Sequence, residues 1–282
     1  MNYIKILILA AAGLVITSCS DFLDENPKSQ LMYDYYNTEQ GIEDLTKSAY
    51  NELRFLFNGE VSFTLTNYGV DEYKQGADGL FKHYDSYTAA LNASGGHIHD
   101  MWTAYYRAIN NCNLVLEKMP AVPEVNIFKD PTLKAKRMAE VSFLRAFYYF
   151  SLVQQFGNIP LVLDGEIGVR TEFPRAPVAD VYNTIIKDLL FAESVLPETQ
   201  PQQGRVTKGA VRHYLAKVYL TRGSAVQDQR GQKATDMDSA AFWADKVIGM
   251  TSLYKLEDNY ADLWRIDNQE NKEVIFAAQF NN

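Results

Sequence analysis

A mainly α fold is the class this sequence predicts: a tetratricopeptide-like helical stack with irregular loop insertions and little β structure. Three observations predict it. Apolar residues recur at alternating three- and four-residue intervals over successive segments, the spacing that lines one face of a helix. Short turns marked by glycine and proline join those segments, and small residues (Ala210, Ala216, Ala240, Ala244) stand where neighbouring helices must approach. A glycine-rich stretch, residues 58–98, interrupts the rhythm and reads as loop and short irregular structure.

The N-terminus follows a different pattern. Lys5 stands in a short polar start, residues 6–16 are apolar and uncharged, and Ile16, Thr17 and Ser18 lead straight into Cys19. An apolar run this short is a secretory signal rather than a membrane span. Small residues before a cysteine resemble the bacterial lipobox, in which the sulfur takes a diacylglyceryl group and the cysteine becomes the first mature residue. Two or three acyl chains, at about 0.8 kcal/mol per buried methylene, anchor a protein far more firmly than one. Residues 1–18 are therefore expected to be signal peptide, 19–35 an acylated tether, and 36–282 the helical-repeat domain. After the first residues, no segment reaches the roughly 18 uninterrupted apolar residues that a spanning helix needs.

The formal net charge is −8, and loss of Lys5, the one charged residue in 1–18, takes it to −9. A phosphate backbone requires clustered Lys and Arg, so no nucleic-acid partner is expected of this acidic chain. Cys112 is the only other cysteine, and with Cys19 acylated no disulfide framework exists.

From Thr38 onward, Ile42, Leu45, Ala49 and Leu53 mark the first amphipathic face. Trp102, Tyr105, Ile109, Cys112, Leu116 and Met119 predict a helix from about residue 100 to the turn at Pro120. A third helix fits 132–155, stopped by Gly157 and Pro160, and a fourth fits 178–196, closed by Pro197. Thr207 is placed to cap a fifth that runs to Thr221, with Gly223 as its stop. Asp238 or Ser239 is placed to cap a sixth, ending near Ile248. The run EVIFAAQF, residues 273–280, reads as a buried strand or the entry to one.

Catalytic patterns are absent. His97, His99 and Asp100 form the one cluster with metal-ligand flavour, but a metal site needs further ligands from elsewhere, so no metal or other cofactor is expected. GRVTKGA, residues 204–210, contains Gly, Lys and Thr without the order of a phosphate-binding loop. Asp71 and Glu72 are adjacent, whereas the two carboxylates of a glycosidase face each other about 5–10 Å apart across the substrate. No nucleophile elbow or H-E-x-x-H pair occurs. The chain therefore does not read as an enzyme.

A surplus of rings remains. Tyr68, Tyr73, Phe81, Tyr84 and Tyr87 lie in the glycine-rich stretch, where a helical core has little use for all of them. Flat rings stack on the apolar faces of sugars, and Asp71, Lys82 and Asn92 are close enough in sequence to meet hydroxyls. Asp71, Tyr73, Phe81, Tyr84, Tyr87 and Asn92 are therefore the candidate ligand-binding set. For any one ring, the plainer role is to anchor its loop to the core.

Five segments in order resemble the SusD/RagB family of outer-membrane lipoproteins. They are CSDFLDENP (19–27), AEVSFLRAFYYFSLVQQFGNIPLVL (139–163), RAPVADVYNTIIKDLLFAESVLP (175–197), GRVTKGAVRHYLAKVYL (204–220), and the stretch from FWADKVIGM to KEVIFAAQF. Within them Glu140 and Leu144 share a helix face, and Arg145 stands among aromatics where it can pair with a carboxylate; these read as structural. The resemblance implies a non-catalytic, lipid-anchored surface protein that captures a glycan or oligosaccharide and hands it to a SusC-like TonB-dependent transporter. It also implies helices facing the transporter, ligand loops on the opposite side, and a chain continuing for about as many residues again. On that expectation this chain leaves an apolar face uncovered. Asp21, Asp24 and Glu25 resemble the acidic export signal of such lipoproteins. Two further readings stay open: a helical-repeat assembly lipoprotein without a small ligand, and a lipid-anchored hydrolase.

Overall fold

The computed structural model describes residues 35–36, 38–57, 60–74, 76, 81–92, 94–119, 130–165, 171–226 and 229–279. Cys19 and nearly all of the expected signal and tether lie outside them. The chain divides into Met1–Tyr35 and Tyr36–Asn282, and everything below concerns the second unit.

Helix α1 (Glu39–Asn51) starts where Thr38 Oγ1 accepts the Gly41 N–H at 3.0 Å, and it buries Ile42, Thr46 and Ala49. After Glu52 a short α2 (Leu53–Phe57) continues the same run. Helix α3 (Glu60–Asn67) and the single turn α4 (Lys82–Ser86) follow. Both fall in the stretch expected to be loop. Tertiary contacts outweigh the β-branched and glycine-flanked sequence here: Thr64 is buried, Leu65 packs on the core, and Gln155 Nε2 donates to the Leu65 carbonyl at 2.9 Å.

The long helices follow their periodicity. Helix α5 (Gly96–Lys118) begins four residues before the apolar stripe suggests and buries Tyr105, Ile109, Cys112 and Val115. Helix α6 (Leu133–Phe156) is buried on nearly all sides from Ala139 to Phe150, as befits a central helix. It stops at Gly157, whose φ of +67° excludes most other residues. Two short strands, β1 (Ile159–Pro160) and β2 (Arg175–Ala176), pair antiparallel and bring the chain back for the next helix.

Helix α7 (Val178–Val195) packs on α6, α8 (Lys208–Gly223) on α7, and α9 (Asp236–Ile248) on α8. Thr207 caps α8 as expected, accepting from the Ala210 N–H at 3.5 Å; Gly223 forms its last residue, and the cap falls on Ser224. At α9, neither Asp238 nor Ser239 caps the helix, which starts earlier after Thr235. Asp236 fixes the start by accepting from the Lys233 N–H at 2.9 Å and from Arg222, while Ser239 Oγ donates to the Thr235 carbonyl inside the helix. Each helix leans on the one before it, which is the stacked-repeat arrangement.

The C-terminal run corrects one expectation, because no strand forms over 273–279. Its apolar side chains lie on the helices instead, with Phe276 edge-on to Phe143 at 5.6 Å and Ile275 and Ala278 beside it. Two 3-10 turns, Tyr260–Trp264 and Ile266–Asn268, precede it. Among the described residues no helix is long and apolar enough to cross a membrane.

Charged networks bind the layers. Arg145 holds Asp188 of α7 through two bonds (Nε at 2.7 Å, Nη2 at 2.8 Å) and Asn113 of α5 through Nη1 at 2.9 Å. Burial works against its charge, but Asp188 outweighs it and holds the Arg145 pKa above the ordinary guanidinium value. Glu140 is fully buried and accepts from Tyr50, Arg137, Arg205 and Gln200, and both arginines also reach Glu43. Arg145 and Glu140 are thus structural, as their positions in the sequence suggest.

Candidate functional site

The aromatic residues sort into an exposed set and a supporting set. Phe63, on α3, meets Tyr68 edge-on at 5.8 Å and Tyr73 edge-on at 5.6 Å. Both pairs have the T-shaped geometry that ring quadrupoles favour. Phe63 is 44% exposed, Tyr73 46% and Tyr87 68%, which leaves ring faces open to solvent. Because the rings brace one another, ordering them on a ligand costs little conformational entropy.

Tyr87 is held by a backbone device. Its hydroxyl donates to the Gly69 carbonyl at 2.8 Å, and Gly69 has φ +75° with only 2.3 Å between an ideal Cβ and Tyr87 Oη. Only glycine allows that approach. Tyr87 ends α4 in the left-handed region at φ +48°, which turns its ring outward from the helix. Asp71 and Glu72 lie exposed in the turn after Gly69.

Beneath them the second set is packed. Phe81 lies 4.2 Å from the His97 ring, His83 lies 4.4 Å from Tyr84, and Tyr84 stacks on His97 at 5.8 Å. Tyr84 is only 8% exposed, so it wedges α4 against the start of α5 instead of offering a face. Burial pushes its phenol up; the Ile98 and His97 N–H groups oppose this, and Asp100 adds to it. Asn92 closes a local turn, accepting from the Ser94 N–H at 2.9 Å and donating to the Ala90 carbonyl at 3.1 Å.

Of the six sequence-predicted residues, Tyr73 and Tyr87 present open rings, and Asp71 is exposed beside them. Phe81, Tyr84 and Asn92 shape the support. Phe63 went unnoticed in the sequence because its helix was read as loop; its i, i+5 and i+10 spacing to Tyr68 and Tyr73 carries no helical signal. His97 serves as a stacking partner, and no group of three or more His, Cys, Asp or Glu among the described residues is arranged to hold a metal.

The remaining motif candidates are structural. In GRVTKGA, Thr207 caps α8 and Gly209 lets the Tyr254 ring approach within 2.5 Å of where a Cβ would stand. A separate cleft of about 480 Å³, lined by Lys47, Leu53, Arg54, Arg205, Ala278 and Gln279 among others, includes none of the predicted site residues.

A SusD-like family model, described as "Starch-binding associating with outer membrane", matches residues 21–220. A SusD-like protein of Bacteroides ovatus is 28% identical over 282 residues, covering 98% of this chain and 50% of that relative. The starch-binding protein SusD of Bacteroides thetaiotaomicron is 31% identical over 163 residues, 55% of this chain and 27% of its own. Among solved structures, a laminarin-binding SusD-like protein superposes with a TM-score of 0.68 at 28% identity, covering 85% of this chain and 50% of its own. A structure solved with a xylogluco-oligosaccharide superposes with a TM-score of 0.69 at 25% identity, covering 86% and 46% respectively. The chain spans about half the length of the first of these relatives. With the family match covering well over half of the residues, the chain belongs to the SusD-like family.

Proposed function

We propose that this chain is a non-catalytic glycan-binding lipoprotein of the outer membrane that captures an oligosaccharide at the cell surface and passes it to a SusC-like TonB-dependent transporter. One observation carries the reading: Phe63 and Tyr73, braced edge-on, and Tyr87, held by the Gly69 carbonyl, offer open ring faces on a family scaffold whose relatives include a laminarin binder and a xylogluco-oligosaccharide complex. Ring faces take the apolar side of a pyranose, and Asp71 supplies an acceptor for its hydroxyls. Tyr73→Ala and Tyr87→Ala are each expected to weaken binding about threefold to tenfold, the range for loss of one aromatic contact. Calorimetry against starch, laminarin and xyloglucan oligosaccharides checks this. Absence of binding to any glycan, by this chain and by a full-length relative alike, overturns the reading.

The lipid anchor has its own test. Cys19→Ala is expected to move the protein from the membrane fraction to the soluble fraction, because residues 20–35 offer no apolar run to replace the acyl chains. Protease shaving of intact cells is expected to degrade the wild-type protein, and full protection contradicts surface exposure.

An assembly role without a sugar ligand draws support from α9, along which Met237, Phe242 and Ile248 are exposed. Co-purification of a transporter that is indifferent to added glycan favours that second reading.

A further inference from the structure

Helix α4 is five residues long, with no side-chain cap at its start, and a single turn of helix has no stability of its own. Its neighbours fix it. On one side the Gly69 backbone lies close against it: an ideal Cβ at Gly69 stands 2.3 Å from Tyr87 Oη and 3.0 Å from the Tyr84 carbonyl oxygen. On the other side is the start of α5, which Tyr84 reaches in two ways.

The Tyr84 ring stacks on His97 at 5.8 Å, beside Phe81 at 4.2 Å from the same imidazole, and Tyr84 is buried there. Its hydroxyl sits over the first turn of α5: the backbone N–H groups of Ile98 and His97 face its oxygen, and an ideal Cβ at Gly95 stands 3.1 Å from it. Gly95 is the N-cap of α5 and offers no side chain to the open N–H groups of that turn. The phenol oxygen takes the place of the missing cap, and the absent Cβ leaves it room. Stacked rings tolerate sliding past one another, whereas hydrogen bonds are directional. The hydroxyl therefore sets the angle of α4 on α5.

That angle matters at the other end of the turn. Tyr87 closes α4 in the left-handed region, and its hydroxyl donates to the Gly69 carbonyl at 2.8 Å, so its ring is carried by α4. Tyr73 is braced instead by Phe63 of α3 at 5.6 Å. A tilt of α4 moves the first ring and not the second.

We propose that Tyr84 is a positioning residue for the ring surface, acting through its hydroxyl on the start of α5 to fix the direction in which Tyr87 is presented. The inference rests on the glycan-binding reading above and gives Tyr84 a part in it without contact to ligand.

Tyr84→Phe removes the oxygen and keeps the ring. It is expected to weaken calorimetric binding of laminari-, malto- or xylogluco-oligosaccharides about threefold, approaching the loss in Tyr87→Ala. The signature is non-additivity: added to Tyr87→Ala, Tyr84→Phe is expected to change affinity by less than about twofold further, whereas added to Tyr73→Ala its effect is expected to multiply in full. Gly95→Ala crowds the hydroxyl from the α5 side and is expected to behave like Tyr84→Phe, so it supplies the same cycle if that variant folds poorly. Unchanged affinity in both variants, or a loss that multiplies equally with Tyr87→Ala and Tyr73→Ala, overturns the inference and leaves the glycan-binding reading standing.

NMR of isotope-labelled tyrosine reads the ring position with no ligand present. The Tyr87 ring signals are expected to shift in Tyr84→Phe while those of Tyr73 stay in place. If the wild type binds no glycan and the Tyr87 signals shift, the glycan-binding reading falls and the positioning role stands. If Tyr87 keeps its wild-type signals in both variants, the positioning role falls whatever the affinity.

Discussion

Glu140→Ala is expected to destabilise the folded unit by about 3–5 kcal/mol, the range for breaking a buried ion pair by removing one partner. Glu140 is fully buried and joins three parts of the chain: Tyr50 of α1, Arg137 one turn earlier on α6, and Arg205 and Gln200 from the segment between α7 and α8. The alanine leaves two guanidinium groups, each 8% exposed, to share Glu43. It also leaves Tyr50, whose phenol burial and Glu140 push well above its ordinary value, as a donor without its acceptor. Glu140→Gln keeps the shape and one acceptor and should cost less. Urea unfolding followed by circular dichroism measures both. A loss below about 1 kcal/mol for the alanine variant would mean that Glu43 alone neutralises both arginines.

That network shows where the sequence stops being informative. Glu140 is visible as one position on a helix face, but its partners Tyr50 and Arg205 lie far away in the chain and carry no local pattern. Arg145 was a better case, since its aromatic surroundings allowed a carboxylate partner, although nothing local named Asp188. Helices α1, α5 and α7 were legible because each buries one face and repeats it for three or more turns, whereas α6, buried on nearly all sides, was bounded by the turn at Gly157 and Pro160. Thr207 marked the start of α8 through ordinary capping chemistry, which Thr38 also supplies at the start of α1.

Short elements were hidden for the opposite reason. Helix α3 has eight residues with β-branched members and is held by contacts such as Gln155 on its Leu65 carbonyl, which no window of sequence contains. The β1–β2 pair has two residues per strand, too few for alternation to show. EVIFAAQF carries strand-like composition, yet packing of Phe276 on Phe143 satisfies its apolar side chains without a ladder. In the candidate site, composition marked the ring-rich stretch but could not separate Tyr84, wedged under α5, from Tyr87, turned outward by its own backbone.

Asp236→Ala is expected to cost about 3–5 kcal/mol at neutral pH, again by leaving a buried guanidinium without its carboxylate. Arg222 is 3% exposed and grips Asp236 through Nε at 2.9 Å and Nη2 at 2.6 Å. Asn183, at 3.5 Å from Nη1, and the Tyr219 ring, 5.4 Å away, are weak substitutes. The pair ties α8 to α9, so its loss should detach the last helix first; hydrogen exchange should therefore quicken in α9 before α6. The same pair sets a pH dependence. Burial opposes ionisation of Asp236, but the Arg222 hydrogen bonds and the Lys233 N–H outweigh it and hold the carboxyl below its usual 3.8. As pH falls below that value, the unfolded chain takes up the proton first, so the unfolded state binds more protons and stability declines. The difference in stability between wild type and Asp236→Asn should thus be constant from neutral pH to about pH 5, then shrink through the acid range. A difference that holds unchanged to pH 3 would show that Arg222 does not favour the ionised carboxylate over its unfolded state, and the α8–α9 junction would owe its strength to packing alone.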